Sequence, residues 1–423
     1  MGMIWQRATC FREINDQAAP GGFLFCADAL EADLSAFSGQ AQCVYLDPPS
    51  CSGDRFFCKM RVGEEGWENS RQAVYLPAYN DMDGADTSEY LAFLRRLLVL
   101  ARDLLKGSGS VFLHTDDRME AHVRLLMDEV FLPENFRNQI IWSYHTGGRS
   151  KRFFSRMHDV ILFYAKSNDH FFDLSHVPVK RKESSANHMK RRVDEKGRAY
   201  RSIVTGGKTY IYYDDEPVYP DDVWDDVSRM QQKDPQRTGF PSQKPQALLD
   251  RVILATTNPG DLVADLCCGS GTALFSAAAN GRRFLGVDKS GCAFSVCRKR
   301  LNPYHMVCQA PLSDSGALLD VSAMPGIGFY TVKINAFTLP DNELNRFRRE
   351  PSTLALQGFD AVDQWYAGLI NNGVFTAYAA AVRAKQTPKL QTTLQVPLLR
   401  GMVAVLVIDA LGRRTLWTGS GLV

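Results

Sequence analysis

The sequence holds no apolar run long enough to cross a membrane; the stretch near Met402 to Leu411 is too short and too interrupted. It starts Met1-Gly2-Met3-Ile4-Trp5-Gln6 and passes into polar residues. That start has no apolar signal region and no Ser or Thr at position six for myristoylation. Cysteine is sparse for the length, ten in 423 residues, which excludes a disulfide framework. Cys51 and Cys58, and Cys292 and Cys297, lack CxxC spacing, so no metal site is expected. Cys26 and Cys43 lie in apolar strand contexts and read as small core residues, with reduced thiols in a cytoplasmic protein. There is no internal repeat, no low-complexity tract and no excess of one charge. A formal charge of +2 excludes neither nucleic acid nor a small-molecule substrate.

What is present is ordinary in amount and informative in placement. Hydrophobic residues make up 45% and charged residues 23%, as in a soluble globular protein with a large core, and the length suits two domains. From Arg149 to Lys208 the chain carries 15 Lys and Arg against 6 Asp and Glu, a surplus of +9, so the remainder is net negative. This basic segment, dotted with Tyr200, Tyr210, Tyr212 and Tyr213, is the candidate phosphate-contacting surface.

Strand and helix patterns alternate around it. Gly22 to Asp28 reads as a strand ending in an acid, and Ala29 to Phe37 as a short helix. Val44 to Leu46 is a buried strand. Leu91, Leu94, Leu97, Leu98 and Ala101 give a helix over Tyr90 to Leu105, stopped by Lys106-Gly107-Ser108-Gly109. Ser110 to His114 is a strand, Glu120 to Val130 a helix, and Gln139 to Tyr144 and Val160 to Tyr164 are placed to pair. The order resumes with Lys244 to Ala255, Leu262 to Asp265 and Arg283 to Asp288. Beyond about Pro303, Phe329 to Asn335 and Val403 to Ile408 read as strands and Ala361 to Ile370 as a helix, a small α+β unit. The alternation predicts a doubly wound α/β sheet.

Two loops stand out. Val44-Tyr45-Leu46-Asp47-Pro48-Pro49-Ser50 and Leu262-Val263-Ala264-Asp265-Leu266-Cys267-Cys268-Gly269-Ser270-Gly271-Thr272 are each an apolar run ending in an aspartate and a turn. A buried parallel strand delivers a functional loop in this way. The second loop is glycine-rich and leads into the small residues Ala273 to Ala279, a strand, turn and helix N-terminus suited to a nucleotide-like ligand. The first carries a carboxylate and two stiff prolines, suited to a reacting group.

Asp-Pro-Pro followed much later by an aspartate and Gly-Ser-Gly-Thr resembles the beta group of DNA amino-methyltransferases. Those enzymes move a methyl from S-adenosylmethionine to adenine N6 or cytosine N4. The likeness covers roughly residues 20 to 300 and also rests on Ser242-Gln243-Lys244-Pro245, His158 to Tyr164 and Val223-Trp224-Asp225-Asp226. It departs at Ser50, where the family has an aromatic ring, and at Leu266-Cys267, where it has Pro-Phe.

The resemblance implies roles. Asp47 and the Pro48 carbonyl would accept the N–H bonds of the target amino group, with Pro49 stiffening the loop and Ser50 at the stacking position. Phe56, Phe57 or Trp67 could supply the missing ring. Asp265, Cys267, Gly269, Ser270, Gly271 and Thr272 would surround the methionine part of the cofactor, and Cys267 implies looser packing than phenylalanine. Asp288 would meet the ribose, Asp28 the adenine, and Lys244, before Pro245, the carboxylate. His114 and Asp116-Asp117 read as polar strand-end residues.

The fold implied is a circularly permuted S-adenosylmethionine-dependent methyltransferase sheet with an inserted target-recognition region and a small α+β C-terminal domain. Its parts would be a catalytic half (1–148), a DNA-contacting region (149–238), a cofactor half (239–303) and an accessory domain (304–423). The implied partner is double-stranded DNA, with no membrane; a restriction or defence partner protein and a homodimer are compatible. Adenine N6 is favoured. Cytosine N4, a catalytically silent DNA-binding relative, and methylation of another amine in RNA, a nucleotide or protein remain open.

Overall fold

Parallel strands buried on both faces form the centre of the protein. The computed structural model describes residues 3–8, 21–64, 73–81, 86–144, 150–180, 189–311, 316–340 and 358–422. Trp67, Arg149 and the basic pair Arg181 and Lys182 lie outside the described residues.

The first strands are β1 (Met3–Ala8), β2 (Gly22–Cys26), β3 (Ala41–Leu46), β4 (Arg55–Arg61) and β5 (Ala73–Asn80). Helix α1 (Thr87–Leu104), β6 (Leu105–Thr115), α2 (Glu120–Phe131), β7 (Phe136–Ser143) and β8 (His158–Ala165) follow. The basic region contributes β9 (Arg191–Val193), β10 (Ala199–Thr205), β11 (Lys208–Tyr213) and β12 (Val223–Trp224). Then come α3 (Gln246–Thr256), β13 (Leu262–Asp265), α4 (Thr272–Ala279), β14 (Arg283–Asp288) and α5 (Gly291–Arg300). The remainder is β15 (Met306–Pro311), β16 (Leu318–Pro325), β17 (Phe329–Thr338), β18 (Val362–Asn371), β19 (Val374–Val382), β20 (Thr393–Pro397), β21 (Met402–Asp409) and β22 (Arg414–Leu422).

Fourteen of these strands make one sheet, in the order β12-β7-β8-β6-β3-β13-β14-β2-β15-β1-β19-β18-β21-β22. From β6 to β15 neighbouring strands are parallel. From β3 the chain crosses through α1 to β6 on one side; from β13 it crosses through α4 to β14 on the other. The order therefore reverses between β3 and β13, where Asp265 is level with Tyr45. Ligands of open α/β sheets bind beyond the strand ends at such a switch point. The loop from β3 thus precedes the loop from β13 in sequence but sits beside it in space, the permuted order expected.

Residue alternation dictates the two layers. Val44, Leu46, Leu262 and Ala264 pack with Leu94, Leu97, Leu98 and Ala101 of α1 on one face. Cys43, Tyr45 and Val263 pack with Leu248, Leu249, Ala273 and Leu274 of α3 and α4 on the other. Helix α1 starts where Asp86 accepts the amides of Ser88 and Glu89 at 2.8 and 2.9 Å and Glu89 returns the favour, a capping box. Each buried leucine of its inner face stabilises by about 1.5–3 kcal/mol, several times any propensity term.

Two expectations are corrected. Ala29 to Phe37 is no α-helix but turns ending in the 3-10 segment Ser35–Phe37. Asp28 and Asp33 accept the amides of Leu30 and Ser35 two residues on and so turn the chain locally. Ala361 to Ile370 is not a helix but the central strand β18, buried from Val362 to Leu369 and paired with β19 and β21. The tail is accordingly built from strands among the described residues, with a 3-10 turn at Gly358–Ala361. Within the sheet, β18, β19, β21 and β22 continue the main strand order through β1. Cys58, Met60, Val74 and Leu76 of the β4–β5 hairpin share a core with Val332, Trp365 and Val396 of the tail. No helix among the described residues is long and apolar enough to cross a membrane.

Candidate active site

The loops after β3 and β13 open into one cavity of about 790 Å³, large enough for a nucleotide-sized ligand and a further ring. Asp28, Asp47, Pro48, Pro49, Ser50, Lys244, Asp265, Cys267, Gly269, Ser270, Thr272 and Asp288 line it. Pro245 and Gly271 do not. Pro245 caps the N-terminal end of α3, and Gly271 caps α4.

The β13 loop is shaped by backbone. Gly269 and Gly271 have φ of 48° and 70°. A Cβ on Gly269 would stand 3.0 Å from the Phe240 ring, and one on Gly271 2.7 Å from Cys297 Sγ, so only glycine lets the loop lie this close. Asp288 accepts the Gly269 amide at 2.8 Å and the Ser290 amide at 2.8 Å, fastening the loop to the end of β14. Asp265 is buried and accepts the Cys267 amide at 3.1 Å. Burial pushes its carboxyl well above the usual range; the Cys267 amide offsets this, and the nearby Asp47 and Asp288 charges add to it. Behind the loop, Arg300 donates to Thr272 Oγ1 at 2.9 Å.

In the β3 loop, Asp47 Oδ2 lies 2.5 Å from Lys244 Nζ. The lysine expected to meet a cofactor carboxylate is therefore held on Asp47. Cys51 and Ser242, in the two segments that meet here, are non-glycine residues with φ of 56° and 58°. Ser50 is not idle. Its amide and hydroxyl reach Asp81 at 2.5 and 3.1 Å, and Arg118, paired with Asp116, donates to its Oγ at 3.1 Å. Asp81 also accepts the Ser52 amide at 2.7 Å and the Ser52 hydroxyl.

Aromatic rings come from elsewhere. Phe56 and Tyr79, opposite each other on the β4–β5 hairpin, stack with centroids 4.7 Å apart, and Phe240 continues the stack 6.2 Å from Tyr79. All three line the cavity. Phe57, by contrast, is exposed and outside it. Tyr79 OH meets Ser242 Oγ at 2.7 Å.

A polar chain that sequence reasoning missed runs along the opposite wall. Tyr45 OH is 2.8 Å from His114 Nδ1, His114 Nε2 is 3.0 Å from Asp159 Oδ2, and Tyr144 OH donates to Asp159 Oδ1 at 2.8 Å. Tyr45, His114 and Asp159 line the cavity, as does Asp116, so two residues read as plain strand ends face the site. Burial disfavours the charged form of Asp159. The His114 bond and charge, the Lys244 charge and the Tyr144 hydroxyl outweigh it and hold the carboxyl at about 2. The signal that could have found it is His158-Asp159 at the start of a strand paired beside His114. Among the described residues no cluster of three or more His, Cys, Asp or Glu is arranged to hold a metal.

A doubly wound sheet with an acidic proline loop and a glycine loop meeting at its switch point defines a nucleotide-ligand group-transfer site. This chain belongs to the DNA methylase family, whose model matches residues 41–295. It is 25% identical over 342 residues to the type II methyltransferase M.EcaI of Enterobacter cloacae, covering 70% of this chain and 71% of that one. It is 32% identical over 227 residues to the type II methyltransferase M1.MboII of Moraxella bovis, covering 51% and 83%. The DNA adenine methyltransferase YhdJ of Escherichia coli strain K12 is 27% identical over 215 residues, covering 50% and 67%. Among solved structures, the M1.HpyAVI–SAM complex is similar at a TM-score of 0.40 and 17% identity, covering 66% of this chain and 99% of that one. The cytosine-N4-specific PvuII DNA methyltransferase is similar at 0.43 and 13%, covering 69% and 98%.

Proposed function

We propose that this chain moves a methyl group from S-adenosylmethionine to an exocyclic amino group in duplex DNA, adenine N6 ahead of cytosine N4. The observation that carries the reading is the meeting of the Asp47-Pro48-Pro49 loop and the Asp265-to-Thr272 loop in one cavity at the end of adjacent strands. The residues fit the cofactor. Asp28, Asp47, Asp265 and Asp288 surround space beside a glycine cradle, and a cationic sulfonium relieves their mutual repulsion.

S-adenosylmethionine supplies an activated methyl, so positioning is the chief task left to the protein. Asp47 Oδ1 and the Pro48 carbonyl accept the two N–H bonds of the target amino group and turn its lone pair toward the methyl. Asp288 would meet the ribose hydroxyls and Asp28 the adenine, since both line the cavity. The Asp265, Cys267, Gly269, Ser270, Gly271 and Thr272 loop takes the methionine part. Lys244, carried by the Pro245-capped start of α3, steadies Asp47 in place of the cofactor carboxylate. The Phe56–Tyr79 pair is the stacking platform that Ser50 cannot be.

Residues 149–238 then serve duplex recognition, flanked by the catalytic and cofactor halves. Relatives named as restriction-modification Mod subunits, from Escherichia phage P1 and Escherichia coli, favour a restriction partner. A second reading, a silent DNA-binding relative, is favoured only by the engagement of Asp47 with Lys244 and of Ser50 with Asp81.

The deciding experiment is transfer of labelled methyl to unmethylated genomic DNA, with the product nucleosides separated and Asp47→Ala as control. Label in N6-methyladenine that disappears in the control supports the reading. Label in N4-methylcytosine moves the base. No label from folded, DNA-binding protein makes the silent relative the better account.

A further inference from the structure

Between β7 and β8 the chain holds two phenylalanine rings in water. Phe154 is 100% exposed and Phe153 62%, so neither contributes the burial that phenylalanine usually brings to a fold. They stand on an ordered turn. Ser150 Oγ accepts the amides of Arg152 and Phe153 at 3.2 and 3.3 Å, and the Ser150 amide donates to Ser155 Oγ at 3.2 Å. The turn is tied to the cavity wall on its far side. Arg156 Nε pairs with Asp117 at 2.9 Å, next to cavity-lining Asp116, and Met157 O accepts the amide of Tyr144, whose hydroxyl holds Asp159. Cations frame the rings: Lys151 and Arg152 are exposed before them, and the Arg156 guanidinium lies 5.5 Å over the Phe153 ring.

We propose that Phe153 and Phe154 are a wedge that enters the base stack of duplex DNA at the mouth of the cavity, filling the space a target nucleotide leaves when it turns into the site. This rests on the reading that the cavity receives a base. Apolar side chains that part base steps work in this way, and a buried base cannot reach an enclosed pocket without leaving its stack. Lys151, Arg152 and Arg156 supply the phosphate contacts that hold such a wedge in register.

The test is equilibrium binding to short duplexes of randomised sequence, intact or carrying one abasic position. The wild-type chain should prefer the abasic pool by about tenfold, since the gap is already open and stacking a ring is worth roughly that much. The double variant Phe153→Ala with Phe154→Ala should lose the preference. Phe154→Trp should keep it, with its indole fluorescence quenched on binding. Equal binding of both pools by the wild-type chain overturns the wedge, as does a preference that survives the double alanine variant. An alanine variant that shifts self-association in sedimentation while leaving DNA binding unchanged also overturns it, assigning the rings to a protein contact. Methyl transfer, measured separately, tests the other reading: an abasic preference without transfer leaves the wedge standing and removes the chemistry.

Discussion

Lys244 Nζ and Asp47 Oδ2, 197 residues apart in sequence, stand 2.5 Å from each other at the floor of the cavity. Only 15% of the lysine side chain and 27% of the aspartate reach solvent, so the pair is no screened surface contact. A carboxylate has about four acceptor sites on two oxygens, which lets Asp47 keep the lysine on Oδ2 and meet an amino group with Oδ1.

Lys244→Met keeps the side-chain stem and removes the charge. It should lower kcat/KM for methyl transfer to DNA by about ten- to a hundredfold, the worth of one hydrogen bond to a charged group. Steady-state kinetics on genomic DNA read this directly. Unchanged kinetics would take Lys244 out of the reaction.

Ser50→Tyr, which places at this position the ring that the family resemblance implies, should not raise turnover. The ring would displace Ser50 from Asp81 and Arg118, and Phe56 and Tyr79 already present a stacked face to the same cavity. Tyr79→Ala, in contrast, should cut kcat about ten- to a hundredfold, the worth of stacking one base. A gain of activity in Ser50→Tyr would show that the hairpin rings do not do this work.

Asp81 is buried and collects four hydrogen bonds from Ser50 and Ser52. Asp81→Ala leaves those donors unpaired and should cost roughly 3 kcal/mol, with loss of transfer because the loop carrying Asp47 is no longer held. Urea unfolding gives the first quantity and the methylation assay the second.

Asp159 sets an acid limit. Its carboxyl sits at about 2 in the folded protein against about 3.9 unfolded, a depressed value, so its contribution is fully present above about pH 4 and is lost as pH falls through 2. The contribution is about 2.5 kcal/mol. Chemical denaturation between pH 6 and about pH 2 should show Asp159→Asn losing less stability on acidification than the wild-type chain. Parallel curves would mean the carboxylate is not held this way.

The positions of Asp47 and Asp265 were legible because each ends an apolar run, where a buried parallel strand delivers a polar group to the cavity beyond its end. Lys106 to Gly109, taken as a stop, lie inside β6, since helix α1 passes into the strand at Leu105 without a loop. Val362 to Asn371 misled for a physical reason. Trp365, Tyr366, Leu369 and Ile370 fall at helical spacing, yet a strand buried on both faces has no alternation to show, and pairing with β19 and β21 decided its form. The His114–Asp159 bond left only the trace of His158-Asp159 at a strand start, because the contact itself depends on the antiparallel register of β6 and β8. Phe56 was among the rings named from sequence, but its partner Tyr79 escaped for the same cause: the two meet only through β4–β5 pairing.

The shared core of the β4–β5 hairpin and the tail makes the aromatic wall and the distant strands one mechanical body. A molecule pressing on Phe56 and Tyr79 loads the sheet beneath them, so filling the cavity should slow amide exchange in Val362–Asn371, far from any contact with it. Hydrogen exchange in the tail is then a reporter on the pocket, read from strands that never touch what fills it.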